Sequence, residues 1–159
     1  MADDKLVEIL FRLYSDIMDE ETTETLWAQL IDEENGYYRL DSIPFYLPLI
    51  APDDIIAAEY DEAESMLMYR KTIQYSGNSA IHVILLNELN AVDDVRGIFE
   101  DMSCPTEKCN DKYFAIEVPA AIDYLYIKKK LDELAKEEIL DYAESCLSEK
   151  HQQTNYLYK

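Results

Sequence analysis

Between Lys5 and Tyr14 apolar side chains recur at every second position, with Val7, Ile9, Phe11 and Leu13 on one side of an extended chain. That period, with its β-branched content, predicts a strand rather than a helix. The next stretch, Ser15 to Glu24, is nearly all polar and acidic, and predicts an exposed loop or a short helical turn. LWAQLI (26–31) and YYRL (37–40) then flank Asn35-Gly36, a dipeptide that accepts positive φ in tight turns, so a β-hairpin with DEEN at its tip is expected. Pro44 and Pro48 interrupt any regular element. Three further strands are predicted at DIIAAEY (54–60), MLMYRKTIQY (66–75) and AIHVILL (80–86).

The period then lengthens. Val92, Val95, Phe99 and Met102 form a helical stripe, with Asn90 as the expected cap and Asp93 at the carboxylate position of a capping box. A loop through Pro105 leads to a strand at KYFAIEV (112–118), and Pro119 is expected to open a second helix with Tyr124, Ile127, Leu131 and Leu134 on one face. Lys136 suits that helix's C-terminal end, and ILDYAESCL (139–147) predicts a last strand. The tail HQQTNYLYK reads equally as disordered or as a terminal element docked through Tyr156 and Tyr158. The fold class is α+β: a small antiparallel, partly barrel-like sheet followed by a strand-helix-strand-helix-strand half. One domain over 1–159 is expected, acidic and mainly β over 1–89, α/β over 90–159.

Composition agrees with a packed core. At 159 residues, 48% of them hydrophobic and 13 of them Tyr, the chain carries the apolar surface that disordered segments lack. No window reaches the roughly 18 apolar residues of a membrane span, and Asp3 and Asp4 stand where a signal peptide would be basic, so a cytoplasmic protein is expected. A reducing compartment keeps Cys104, Cys109 and Cys146 as thiols; a disulfide or half of a metal site within CPTEKC is the weaker reading, since no second Cys or His pair follows at ligand spacing.

Charge changes the picture most. Residues 1–68 hold 18 Asp and Glu against three bases, a net of −15, whereas residues 69–159 hold 16 acids against 11 bases, a net of −5. Such concentration attracts cationic partners and repels nucleic acid and anionic lipid. Nucleophile-elbow, phosphate-loop, dinucleotide and zinc-protease patterns are absent, so no catalytic residue, cofactor or metal is assigned. The carboxylate clusters lack the ligand spacing and turn glycine of a calcium loop. His82 lies in a predicted strand, where a satisfied sheet histidine outweighs a general base, and Lys128, Lys129 and Lys130 read as a solvated helix face offset by Asp132 and Glu133.

LWAQL, YYRLDSIPFY, DDIIAAEY, YSGNSAIHVIL, FAIEVPAAIDYL and ILDYAESCL together resemble an uncharacterised bacterial family, the domain of unknown function numbered four-two-six-five. The similarity covers nearly the whole chain. The family pattern has Asn where Ser42 stands, and His and Arg where Asn78 and His82 stand. The resemblance implies a bacterial single-domain protein in which the Trp27 strand, the Pro44-Phe45 bend and the Gly77 turn are shared structural points.

The leading functional expectation is an immunity protein, an antitoxin-like inhibitor that occludes a basic toxin such as a nuclease. Tyr beside carboxylates makes a rigid recognition surface, and the expected contacts are Asp19, Glu20, Glu21, Glu24, Asp32, Glu33, Glu34, Tyr37, Asp61, Glu62 and Glu64. The alternatives are a nucleic-acid mimic that occupies a host DNA-binding protein, and a non-catalytic small-ligand domain.

Overall fold

The computed structural model describes residues 5–15 and 20–158. The chain divides into two compact units, Met1–Ser76 and Gly77–Lys159.

The first unit is a closed barrel of five strands: β1 (Leu6–Ser15), β2 (Glu20–Asp32), β3 (Tyr37–Leu40), β4 (Ile55–Asp61) and β5 (Met66–Gln74). Successive strands pair antiparallel. The ring closes through one parallel pairing, Ile9 beside Leu67 and Leu10 beside Met68, which leaves the sheet no open edge. The period-two pattern of β1 points inward as expected: Ile9 and Phe11 are fully buried with Leu26, Ala28, Leu40 and Ile56, and Phe11 stacks on Tyr69 at 4.6 Å. The Asn35-Gly36 hairpin forms, with Gly36 at φ +71°. A Cβ there would lie 3.0 Å from the Ala58 carbonyl oxygen, because β4 approaches closely enough for the Ala58 N–H to donate to Gly36 O at 3.0 Å. Glycine meets both demands at once.

One expectation in this unit is overturned. Glu20 to Glu24 belong to β2 rather than to a loop, since Arg12 to Ser15 of β1 offer backbone partners to Glu20 to Thr23. Alternation then sends Glu21 and Thr23 outward and Thr22 and Glu24 inward, a pattern masked in the sequence by its uniform polarity.

The second unit contains β6 (Ser79–Leu85), α1 (Val92–Glu100), β7 (Thr106–Lys108), β8 (Tyr113–Val118), α2 (Tyr124–Lys136), β9 (Leu140–Cys146) and α3 (Glu149–Tyr158). The strands form an antiparallel sheet in the order β7-β8-β6-β9. Its core joins Ile81, Val83 and Leu85, Phe114, Ile116 and Val118 to the stripes of α1 and α2, where Tyr124, Ile127 and Leu131 are almost completely buried. Hence β6, grouped by sequence with the β-rich first half, pairs with β8 and β9 and belongs to the second unit.

Local expectations shift here too. Ala91, not Asn90, precedes α1 as its N-cap and makes no side-chain cap bond, which places Asp93 too early for a capping box; its carboxylate accepts from Arg96 Nη1 at 2.8 Å instead. Pro119 does not open α2. Residues 119–122 turn first, with Ile122 N–H donating to Pro119 O at 3.0 Å, and Asp123 caps the helix by accepting from Leu125 N–H at 3.0 Å. The short β7 strand falls where no element was expected. The tail is helical in α3, while the proposed docking by Tyr156 and Tyr158 lies outside the described side chains.

Candidate partner-binding surface

Register determines where the acidic residues sit. The β2–β3 turn and the β4–β5 turn both lie at the barrel end from which β1 starts, because β2 runs antiparallel to β1 and β5 runs parallel to it. By strand direction Asp32, Glu33 and Glu34 thus belong to one of the two connections at that end and Asp61, Glu62 and Glu64 to the other, which also reaches along β1 to Arg12, 2.8 Å from Glu64. The two turns are organised internally: Asp32 accepts from the Asn35 backbone at 3.1 Å and from its side-chain amide at 2.8 Å, and Asp61 accepts from Glu64 N–H at 3.1 Å. The Asn35 bonds hold the Asp32 carboxyl below the usual carboxylate range. Glu33, Glu34 and Glu62 are exposed, and no ion pair involves them among the described residues. Tyr37 is half-buried at the start of β3, opposite Asp32, and Tyr60 stands 61% exposed at the end of β4.

Three expected contacts fall elsewhere. Glu20 and Glu21 lie at the start of β2, opposite Ser15 and Tyr14 of β1, and Asp19 lies outside the described residues. Glu21 is held by Arg12 at 2.7 Å, and the same guanidinium reaches Glu64 at 2.8 Å, so two of the expected acids are already neutralised. Glu24 serves the fold. Its carboxylate accepts from the backbone N–H groups of Phe45, Tyr46 and Leu47 at 2.8, 3.0 and 3.3 Å, pinning the β3–β4 loop across the barrel so that Leu47 and Ile50 enter the core. Asp54 does similar work from the loop's far side, accepting from Ala51 N–H at 3.1 Å and Ser76 N–H at 2.8 Å; its burial raises the carboxyl above its ordinary value. Sequence spacing signals neither role, because the amides they meet are more than 20 residues away in two of the three segments.

The outer wall of the barrel adds an apolar component. Trp27 faces outward opposite Glu8 and is 46% exposed, with Leu6 at 40% and Ile31 at 44%. An outward Trp27 was legible in principle, since it alternates with the inward Leu26 and Ala28.

The second unit concentrates its polar chemistry between elements. Tyr124 Oη donates to Glu144 at 2.5 Å, Lys128 Nζ reaches Glu144 at 3.3 Å and Tyr142 Oη at 3.2 Å, and Tyr142 Oη donates to Asp132. Lys128 also lies 5.5 Å from the Tyr142 ring centroid, with only 18% of its side chain exposed. It is therefore part of an α2–β9 clamp, not of a solvated lysine face. Burial, then the Glu144 bond, raises the Tyr124 hydroxyl far above its ordinary pKa.

Two serine–histidine pairs occur in the same unit. Ser79 Oγ lies 2.6 Å from His151 Nδ1, while His151 Nε2 lies 3.1 Å from Ile122 O. The carbonyl requires Nε2–H, which makes Nδ1 the acceptor and Ser79 the donor. Ser148 N–H also donates to Ser79 Oγ at 2.9 Å, so the pair docks α3 rather than presenting a nucleophile; both side chains are buried. His82 Nδ1 lies 2.7 Å from Ser145 Oγ on the neighbouring strand, and its ring packs against Tyr113 at 5.9 Å. All three cysteines are thiols; burial in the second core pushes Cys104 up to about 11. Among the described residues no three His, Cys, Asp or Glu side chains are grouped to hold a metal. No helix there is long and apolar enough to cross a membrane.

Residues 24–142 match the family model described as "Domain of unknown function (DUF4265)". The chain belongs to the DUF4265 family. The match runs from the inward Glu24 to Tyr142 of the clamp, spanning most of the barrel and most of the second sheet. This DUF4265 protein is also similar to a solved structure described as "Novel crystal structure of a hypothetical protein from Neisseria gonorrhoeae", with 25% identity and a TM-score of 0.75 over 89% of this chain and 94% of that one. No curated protein matches.

Proposed function

We propose that this DUF4265 protein is an immunity protein, a cytoplasmic antitoxin-like inhibitor that occludes the basic substrate cleft of a cognate toxin. The observation that carries this reading is that both connections at one end of the barrel are acidic, with Glu33, Glu34 and Glu62 exposed and without an ion-pair partner among the described residues. Nucleases suit such a partner, because a cleft that binds a polyanion is cationic. Attraction between opposite charges raises association from roughly 10⁵–10⁶ to 10⁸–10⁹ M⁻¹s⁻¹ at low salt, which serves an inhibitor that must act before damage occurs. Inhibition needs no catalytic group, only coverage of about 800 Å² on each partner. Carboxylates confined to two turns, with Tyr37 and Tyr60 beside them, favour a shaped protein interface over mimicry of a regularly spaced phosphate backbone.

The test is binding of the purified protein to the product of the adjacent gene across a salt series. Association should slow at least tenfold between 50 and 500 mM salt, two conditions chosen to compress the Debye length several-fold. The triple variant Glu33→Lys/Glu34→Lys/Glu62→Lys should lose binding while retaining its thermal midpoint. Salt-insensitive binding, or none, removes the reading.

A further inference from the structure

The outer wall of the β1–β2 pair carries an apolar group that the barrel fold does not require. Leu6 lies opposite Gln29, and Trp27 and Ile31 lie two residues to either side of Gln29. Both are therefore diagonal neighbours of Leu6, at about 7–8 Å between backbones, within reach of large side chains. All three are at least 40% exposed. The other outward positions of β2 are Glu21, Thr23, Thr25 and Gln29, all polar, while on β1 the outward Leu10 is buried rather than exposed. One exposed apolar residue is ordinary; three adjacent ones, including the only Trp in the chain, mark a surface that another molecule covers. The group is continuous with the anionic end, because Ile31 is followed directly by Asp32, Glu33 and Glu34, and Glu8 stands opposite Trp27.

We infer that Leu6, Trp27 and Ile31 form the apolar anchor of a protein interface, with Trp27 inserted in an apolar pocket edged by Lys or Arg on a basic partner. The inference rests on the proposed reading of the acidic end and supplies its anchor. Charge selects the occupant. A second copy of this chain would set its own Glu8 and Asp32–Glu34 against the same carboxylates, and like charges brought together at an interface cost several kcal/mol. An anionic lipid surface meets the same repulsion. A cationic pocket gains from both components: the acids guide approach and specify orientation, whereas the buried indole supplies most of the hold, as tryptophans at interface centres do.

The probe is a random peptide library displayed on phage and panned against the whole protein at low salt. Enriched peptides should combine Lys or Arg with apolar residues. A synthetic copy of the leading peptide should shift the emission of Trp27, the sole indole, and Trp27→Ala should weaken its binding at least tenfold. Leu6→Ser and Ile31→Ser should each weaken it several-fold with unchanged thermal midpoints, so the inference stays testable even if the Trp27 variant folds poorly. Basic peptides that are lost on charge reversal at Glu33, Glu34 and Glu62 but indifferent to all three apolar substitutions would overturn the anchor and leave the acidic reading standing. Absence of enrichment, or peptides indifferent to both sets of substitutions, would overturn both. A concentration-dependent dimer abolished by Trp27→Ala would overturn the choice of partner.

Discussion

The two units treat charged side chains in opposite ways. In the barrel unit, residues 1–76, 18 acids face five bases, a net of −13, and the inward carboxylates of Glu24 and Asp54 are spent on backbone amides while most of the turn carboxylates meet solvent. In the second unit, 16 acids face nine bases, a net of −7, and its charges pair with one another: Lys128 with Glu144 joins α2 to β9 and Lys108 with Asp93 joins β7 to α1, while Arg96 with Asp93 and Lys130 with Glu133 pair within one helix. Buried or half-buried charge must find a partner, and each unit solves this with what its fold offers. A barrel whose end is closed by a long loop has backbone donors to spare; a sheet covered by helices has facing side chains. Charge left over after that accounting is the charge available for recognition, and it resides on the barrel turns.

The comparison is broken most directly at Glu24. Glu24→Ala removes the acceptor of three amides at once, and with charge-assisted bonds contributing about 1.5–3 kcal/mol each and adding incompletely, a loss of roughly 3–5 kcal/mol is expected. Urea unfolding followed by Trp27 emission reads the barrel specifically, since the chain has one Trp. Glu24→Gln, which keeps an acceptor oxygen, should lose less than half as much. If Glu24→Ala left the midpoint unchanged and instead weakened partner binding, the division between structural and available carboxylates would be wrong. Next in size is Gly36→Ala, which combines a positive φ with a Cβ 3.0 Å from Ala58 O and should cost about 2 kcal/mol in the same assay.

These positions also show what could be read from the sequence. Strand alternation in β1 and the Asn35-Gly36 hairpin were legible because their signals are local, as were the helical stripes of α1 and α2. The start of β2 was not, because EETTE is polar on both faces and its inward Glu24 is satisfied by amides 21 to 23 residues further on. The α1 cap failed by a single residue, which moved Asp93 from a capping role to the Arg96 pair. Of the expected contact surface, the two turns were recoverable by composition alone, and the antiparallel order from β2 to β5 puts both at one end; the meeting of Arg12 with Glu64 was not, because it depends on the parallel β1–β5 closure, which no local pattern reports. Glu21 and Glu64 looked available until Arg12 was placed between them.

A third, smaller effect belongs to the clamp of the second unit. Tyr124→Phe deletes the 2.5 Å bond to Glu144 but leaves Lys128 3.3 Å from the same carboxylate, so the group is not abandoned and a loss of about 1–2 kcal/mol is expected. Lys128→Met should exceed it, because Glu144 then keeps only a neutral donor. Hydrogen exchange read by mass spectrometry should localise both changes to α2 and β9, with β1–β5 protected as before. Protection lost equally in the barrel would show that the two units do not respond separately.

The smallest effect is one of pH, and the buried His151 and Asp54 carry it with opposite signs in the two units. Burial sets the folded pKa of His151 below its ordinary value, so the unfolded chain binds this proton more readily and the second unit loses stability as pH falls through the unfolded value of about 6.5 toward the folded one. The slope cannot exceed about 1.4 kcal/mol per pH unit for one proton. Burial sets Asp54 in the opposite direction: its folded pKa lies above the unfolded one, so the barrel is relieved of an unfavourable charge as pH falls toward the carboxylate range. Asp32, held low by Asn35, costs stability only once pH drops below the ordinary carboxylate value. Between pH 7 and 5.5, exchange protection should therefore fall at α3 and the start of β6, where His151 meets Ser79, and His151→Gln should flatten that dependence. A flat profile in the unaltered protein would mean that Ser79 accepts the imidazolium as readily as it donates to the imidazole, since its oxygen then takes one bond from Ser148 N–H and another from His151.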